Sequence, residues 1–255
     1  MAIGIVLAGR PNTRALRAAA PDCPWEALIP IAGRPMTAYV VEALAAVKDV
    51  QRVIVAGPPE LRVPGAVVVA PGAGVVSSWR AALAAAGDGD DAQELLVSAG
   101  DAPLLRAETL ERFLQSCRTR GLALGYPIVE RSVCQQGFPG VRRTYVRLAN
   151  GSFTGGNCAY VHRTAVEPCL ELLDRVHRDR KHPLRLARLF GWGPLLALAF
   201  GRLRLETAEA AAGALLGVRA AAWISPDAGI GVDVDDADDL ALCRAALGTP
   251  APGRG

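Results

Sequence analysis

The stretch that decides the reading runs from IGIVLAG (Ile3 to Gly9), through the loop Arg10-Pro11-Asn12-Thr13-Arg14, to ALIPIAGRPM (Ala27 to Met36). A short β-branched run closed by Gly9 reads as a buried strand. The loop that leaves such a strand points backbone N–H groups at the crevice above the strand ends. Gly9 lets an anion approach the backbone, and Arg10 and Arg14 are placed to donate to it. A second Gly-Arg-Pro turn at Gly33 to Pro35 leads into a helix. Together these features describe the phosphate-binding entrance of a nucleotide-handling α/β domain.

The same alternation continues along the chain. Val53–Ala56, Val67–Ala70 and Leu95–Ala99 read as further buried strands. Met36, Tyr39, Val40, Ala43, Leu44 and Val47 fall on one helical face, Leu83 and its alanine neighbours on a second, and Leu110, Phe113, Leu114 and Cys117 on a third. Strand–helix–strand repetition predicts a mostly parallel sheet covered on both sides. Beyond Leu122 the pattern predicts strands over Leu122–Ile128 and Val141–Leu148, and a turn-rich loop at Ser152–Asn157. A largely helical insertion or cap follows over residues 164–217, with Pro183 suited to a helix first turn. A late strand at Ala220–Ser225 and a last helix at Ala237–Leu247 complete the pattern. The expected organisation is one domain over residues 1–247, with a Pro/Gly-rich tail at 248–255.

Composition narrows the class. The chain has 255 residues, 51% of them apolar and 21% charged, with a formal net charge of +3. That is enough to bury a full core and too weakly basic for a nucleic-acid partner. The six cysteines show no CxxC spacing and read as small buried apolar residues of a reducing compartment. No leader segment is read ahead of the first strand. The uncharged run between Arg188 and Arg202 is too short for a membrane span. A cytoplasmic, soluble protein is the expectation. Within that run, Leu195–Phe200 reads as core, subunit interface or lid, and the oligomeric state stays open. The three histidines have no ligand spacing.

Four further segments carry candidate chemistry. Asp101, in SAGDAPL (Ser98 to Leu104), follows a buried strand and stands at the crevice mouth. One or two carboxylates there suit Mg²⁺, which bridges substrate phosphates; the alternative is a turn or cap before Pro103. Asp233 and Asp235 alternate in GVDVDDADDL (Gly231 to Leu240), so in a strand they share a face. Asp236 and Asp238 suit the start of the last helix. Gly72, Gly74 and Ser77 form a Gly-rich entry to a helix, suited to a base or a phosphate or to a plain turn. Arg180 and Lys181, with Gly155, Gly156 and Asn157, suit an acceptor phosphate; a solvated charged turn is the alternative.

In that order, LAG…R, ALIPIAGRPM, the Gly-rich loop, GDAPL, FTGGN and VDVDDADDL resemble the nucleotidyltransferases that include molybdenum-cofactor guanylyltransferases, cytidylyltransferases and sugar-phosphate nucleotidyltransferases. The resemblance covers about residues 3–160 and 218–247. It implies a Rossmann-like, three-layer α/β/α fold of the A-type glycosyltransferase kind, with a mostly parallel mixed sheet. It implies Mg²⁺-dependent transfer of a nucleoside monophosphate from a triphosphate to a phosphorylated acceptor such as a sugar phosphate or a pterin. By the same resemblance Leu7, Ala8, Gly9 and Arg10 contact nucleotide, and Gly72 and Gly74 lie near its base. Asp101 holds Mg²⁺ with Asp233 or Asp235, and Asn157 faces the acceptor.

The chain departs from that family at two places. The usual LAGGxGxR loop reads Leu7-Ala8-Gly9-Arg10-Pro11-Asn12-Thr13-Arg14, and the usual Pro-Lys before the second motif is Trp25-Glu26. The lysine neutralises triphosphate, so Arg10, Arg14 or Lys181 is expected to supply the missing charge. Competing readings are a nucleotide-binding protein that lost catalysis with the lysine, and a glycosyltransferase. The second is disfavoured because Gly100-Asp101-Ala102 lacks the second acid of an Asp-x-Asp.

Overall fold

Alternation of short apolar strands with one-faced helices produces an α/β architecture with a mostly parallel, mixed central sheet and flanking helices. The computed structural model describes residues 1–12, 14–87, 93–179 and 191–248. Its contacts fall into two compact units: Met1–Ala92, Leu96–Glu111 and Val232–Gly255 form the first, Gln93–Leu95 and Arg112–Gly231 the second.

In the first unit the strand order is β5-β4-β1-β6, with β1 at Ala2–Leu7, β4 at Val50–Ala56, β5 at Ala66–Val69 and β6 at Glu94–Ala99, which enters from the second unit. β1 runs parallel to β4 (Ile5↔Ile54, Leu7↔Ala56), and β4 parallel to β5 (Ile54↔Val67). The chain winds outward from β1 and returns on its other side at β6. The topological switch point of the sheet, where open α/β folds bind ligands, therefore lies between β1 and β6. Ile3, Ile5, Val53 to Ala56 and Leu96 are buried, and α2 (Met36–Ala45) and α3 (Val75–Ala86) pack on β1 and β4. Each such large side chain contributes roughly 1.5–3 kcal/mol. The four expected strands and three expected helices of this region all form, the third being α4 (Ala107–Thr119). A short α1 (Arg14–Arg17) also forms.

The hairpin of β2 (Pro30–Ile31) and β3 (Arg34–Pro35) was not legible as strands. It pairs Ile31 with Arg34 around a two-residue turn, Ala32-Gly33. Both turn residues have positive φ, +46° and +79°. This is the left-handed geometry that hairpins favour and that alanine resists. Tyr39 Oη donates to Ile31 O (2.8 Å) and Arg244 donates to Pro30 O (3.1 Å), which hold the hairpin in place.

In the second unit β7 (Leu124–Glu130) is the central strand. One edge takes β10 (Cys158–His162) and then β9 (Gly151–Gly155), both antiparallel; the other takes β11 (Ala220–Ser225), parallel. Two expectations need correction here. Ser152–Gly155 is strand rather than loop, because backbone pairing with β7 outweighs its turn-forming composition. Of Val141–Leu148 only β8 (Val146–Leu148) is strand, since only those residues find partners on β9. Strand β10 and helix α5 (Arg131–Gly137) were not anticipated. The helical stretch appears as α6 (Val166–Asp179), α7 (Trp192–Ala199) and α8 (Leu205–Leu216). Pro183 lies outside the described residues. Leu196 and Phe200 of the apolar run are exposed. The last helix, α9, is Ala237–Gly248. All six cysteines are free, five of them buried. Among the described residues no helix is long and apolar enough to cross a membrane.

Replacing Ala32 by Asn, which tolerates the left-handed region, is expected to stabilise the protein by about 0.5–1 kcal/mol. A rise in denaturation midpoint in urea checks this. An unchanged or lower midpoint would show that the turn carries no strain.

Candidate functional site

The ends of β1 and β6 are clamped together. Gly100 N–H donates to Leu7 O (2.9 Å), and a side chain at Gly100 would press its Cβ to 2.7 Å from that of Ala8. Thr37 Oγ1, from the first turn of α2, donates to Gly100 O (2.9 Å), and Val234 N–H donates to Asp101 O (2.9 Å). Asp101 is thus tied through its own and its neighbour's backbone to three segments distant in sequence.

The loop after β1 is built as tightly. Gly9 has no room for a side chain, because its Cβ would stand 2.3 Å from Pro71 Cβ at the entry to the Gly-rich loop. Asn12 is buried and its amide donates to Ala20 O and Cys23 O, both at 2.9 Å. Glu26 N–H donates to Arg10 O (3.1 Å), Asn12 N–H to Pro24 O (2.9 Å), and Pro11 bridges Trp25 antiparallel. Residues 10–12 and 24–26 therefore lie side by side, a pairing with no signature in the sequence pattern.

That pairing brings Arg10 and Glu26 together. Arg10 Nε is 3.3 Å from Glu26 Oε2, while its Nη1 is 3.1 Å from Asp235 Oδ1 and 3.7 Å from Asp101 Oδ2. The Glu26 side chain is only 4% exposed and that of Arg10 54%. Burial works against the Arg10 charge, but Glu26, Asp235 and Asp101 more than offset it and raise its pKa. Asp101 is pushed up to about 7, by burial first and then by Asp233, with Arg10 pulling the other way. Its Oδ1 is buried with no hydrogen-bond partner among the described residues.

Arg10, Asp101 and Asp235 are thus brought together, with Asp233 close enough to act on Asp101. Gly231 ends a 3-10 helix and Val232–Asp236 is not a strand, so the expected strand alternation of Asp233 and Asp235 does not form. Asp236 caps α9, its Oδ1 accepting from the N–H groups of Asp238 (2.9 Å) and Asp239 (3.0 Å). Among the described residues no three His, Cys, Asp or Glu are gathered as a metal cluster.

Gly72, Gly74 and Ser77 do form the entry to α3. Ser77 Oγ accepts from Gly74 N–H (2.9 Å) and donates to Gly74 O (3.0 Å), while Ser78 Oγ accepts from Gly72 N–H (3.1 Å). In the second unit Gly155 ends β9, Tyr126 Oη donates to Gly156 O (2.8 Å), and Asn157 N–H donates to Ile230 O (2.9 Å). Arg180, Lys181 and the side chain of Arg14 lie outside the described residues. From the sequence Glu26 stands out as a departure that could serve a ribose, a base or a second metal; in the structure it lies against Arg10, and Thr37 carries no signal in the sequence. The one available signal for Glu26 was that two departures of opposite charge occur in the same entrance.

The model of the MobA-like NTP transferase domain matches residues 4–187. A hypothetical transferase from Thermus thermophilus is 37% identical with a TM-score of 0.81, over 94% of this chain and 100% of that one. Two others share the fold. A 2-C-methyl-D-erythritol 4-phosphate cytidylyltransferase, also from Thermus thermophilus, has TM-score 0.55 and 16% identity over 98% of this chain and 100% of its own. A CMP:2-keto-3-deoxy-manno-octonic acid synthetase complexed with CTP has TM-score 0.58 and 18% identity over 97% and 98%. No curated protein matches. The chain belongs to the MobA-like NTP transferase domain family and is nucleotidyltransferase-like.

A carboxyl whose folded-state pKa is about 7, above an unfolded value of about 3.9, binds its proton more tightly in the folded protein. Its cost is absent below about pH 4 and grows as pH rises through 7. Asp101→Asn is therefore expected to stabilise the protein by about 1–3 kcal/mol at pH 8 and by little at pH 4. Thermal melts of both proteins at the two pH values check this; equal shifts at both would remove the carboxylate as the cause.

Proposed function

We propose that the chain is a Mg²⁺-dependent nucleotidyltransferase, moving a nucleoside monophosphate from a triphosphate to a phosphorylated small-molecule acceptor with release of pyrophosphate. The observation that carries this reading is the convergence of Arg10 with Asp101 and Asp235 beyond the carboxyl ends of β1 and β6. Cationic donor, backbone loop and carboxylates meet at the switch point, where positioning and charge neutralisation supply most of the catalysis. The fold neighbours named for cytidylyl transfer and for a complex with CTP agree with a triphosphate substrate.

Asp101 and Asp235 would hold the Mg²⁺. The fit rests on Asp101, whose buried Oδ1 lacks a partner and whose carboxyl is pushed up to about 7 chiefly by that burial, both of which a cation relieves. Bound there, the ion would supply charge neutralisation to the triphosphate. The chain's own groups do the rest. Leu7, Ala8 and Gly9 bring backbone to the nucleotide, and Gly72 and Gly74 border its base. Arg10 donates to phosphate in place of the lysine that Glu26 replaces. An acceptor phosphate oxygen attacks the α-phosphorus in line, and the bond to the pyrophosphate oxygen breaks. Glu26 on Arg10 also supports a second reading, a nucleotide-binding protein without turnover.

Thermal unfolding with ATP, GTP, CTP and UTP, each with Mg²⁺ or with chelator, tests the proposal. One triphosphate is expected to stabilise the protein in a Mg²⁺-dependent way, by roughly 2.7 kcal/mol at 100 times its Kd. Arg10→Ala is expected to weaken that binding by about 1.5–3 kcal/mol, the loss of a charge-assisted hydrogen bond. No shift with any triphosphate would reject the reading. A shift without pyrophosphate release across phosphorylated acceptors would favour the second one.

A further inference from the structure

The two departures from the family pattern, Arg10 and Glu26, share one guanidinium geometry. The Nη1 end of Arg10 stands between Asp235 and Asp101, at 3.1 and 3.7 Å, and the Nε end rests on Glu26 at 3.3 Å. The first end occupies the place of a cation shared by two carboxylates. The second end meets a fixed post. Glu26 is buried, its backbone N–H is bonded to Arg10 O, and the neighbouring residues 11 and 25 are bridged. The Nη1 end faces solvent, the Arg10 and Asp235 side chains both being more than half exposed. A guanidinium and a divalent ion drawn to the same two carboxylates repel each other, so binding of the ion there favours departure of the Nη1 end.

We propose that Arg10 is the resident cation of the Asp101–Asp235 pair in the nucleotide-free protein, and that it pivots on Glu26 to leave that pair when a divalent ion arrives. The inference rests on the reading of Asp101 and Asp235 as the metal carboxylates. Its consequence is coupling between the two ligands. A divalent ion alone must displace Arg10. In the presence of a triphosphate the released guanidinium gains a phosphate to bind, so ion and nucleotide favour each other's binding. Glu26 keeps the side chain at the entrance throughout, and is a positioning residue in place of the family's lysine.

The test is Mn²⁺ alone, titrated without nucleotide and followed by the electron paramagnetic resonance of the free ion. Arg10→Gln is expected to bind Mn²⁺ about 2- to 5-fold tighter than the unaltered protein, the range for an exposed ion pair. Arg10→Lys, which keeps the charge, is expected to stay near the unaltered value. Adding Asp101→Asn to Arg10→Gln should abolish the gain. Equal or weaker Mn²⁺ binding in Arg10→Gln overturns the proposal and leaves the metal reading standing. No Mn²⁺ binding by any of these proteins overturns both. Should Arg10→Gln fail to fold, the Arg10 Nε–H resonance of the unaltered protein decides, once assigned with Arg10→Lys. A change in its Nη environment at saturating Mg²⁺ supports the proposal, and an unchanged guanidinium overturns it.

Discussion

Everything at the site depends on the contact between the carboxyl ends of β1 and β6. The Gly100 N–H to Leu7 O bond continues the pairing one step past the strands. It holds only because Gly100 has no side chain to strike Ala8. This places the two segments with chemistry, the loop from Ala8 and the turn carrying Asp101, at one sheet edge. Thr37 and Val234 then fix the turn through its backbone carbonyls. A carboxylate held this way can be kept buried and poorly paired, because its position does not depend on its own side-chain bonds.

Around that clamp the charges are arranged with little redundancy. Asp101, Asp235 and Glu26 share Arg10, and Asp233 adds to the negative potential on Asp101. Among the described residues one guanidinium faces three carboxylates, and Asp101 keeps a buried oxygen without a partner. An incompletely neutralised acidic pocket is costly to the folded protein and favourable to an incoming cation. Glu26, which from the sequence reads as the loss of a phosphate ligand, lies in the structure against Arg10.

How much of this was legible depends on the range over which each feature is encoded. Strands β1, β4, β5 and β6 and the helices between them show in local apolar spacing, because their runs are continuous and, in β1, β4 and β6, largely buried. Ser152–Gly155 and Val141–Tyr145 misled for the opposite reason. Pairing with β7 made a strand of a turn-like sequence, and the want of a partner left a strand-like one unpaired. The Ala32-Gly33 hairpin was invisible because alanine does not advertise a left-handed turn. Asp101 was found by its place after a buried strand, and Asp236 by its place before a helix.

The sequence by itself determined the α/β class and the strand after which Asp101 falls, since these follow from spacing within a short window, and the family resemblance, which follows from the order of motifs along the chain. Only the tertiary structure decided that Arg10 faces Asp101 and Asp235, and that Glu26 lies against it. Those contacts join positions 10, 26, 101 and 235. The physical reason is that strand order and loop bridging, not chain proximity, set the distances over which charges act.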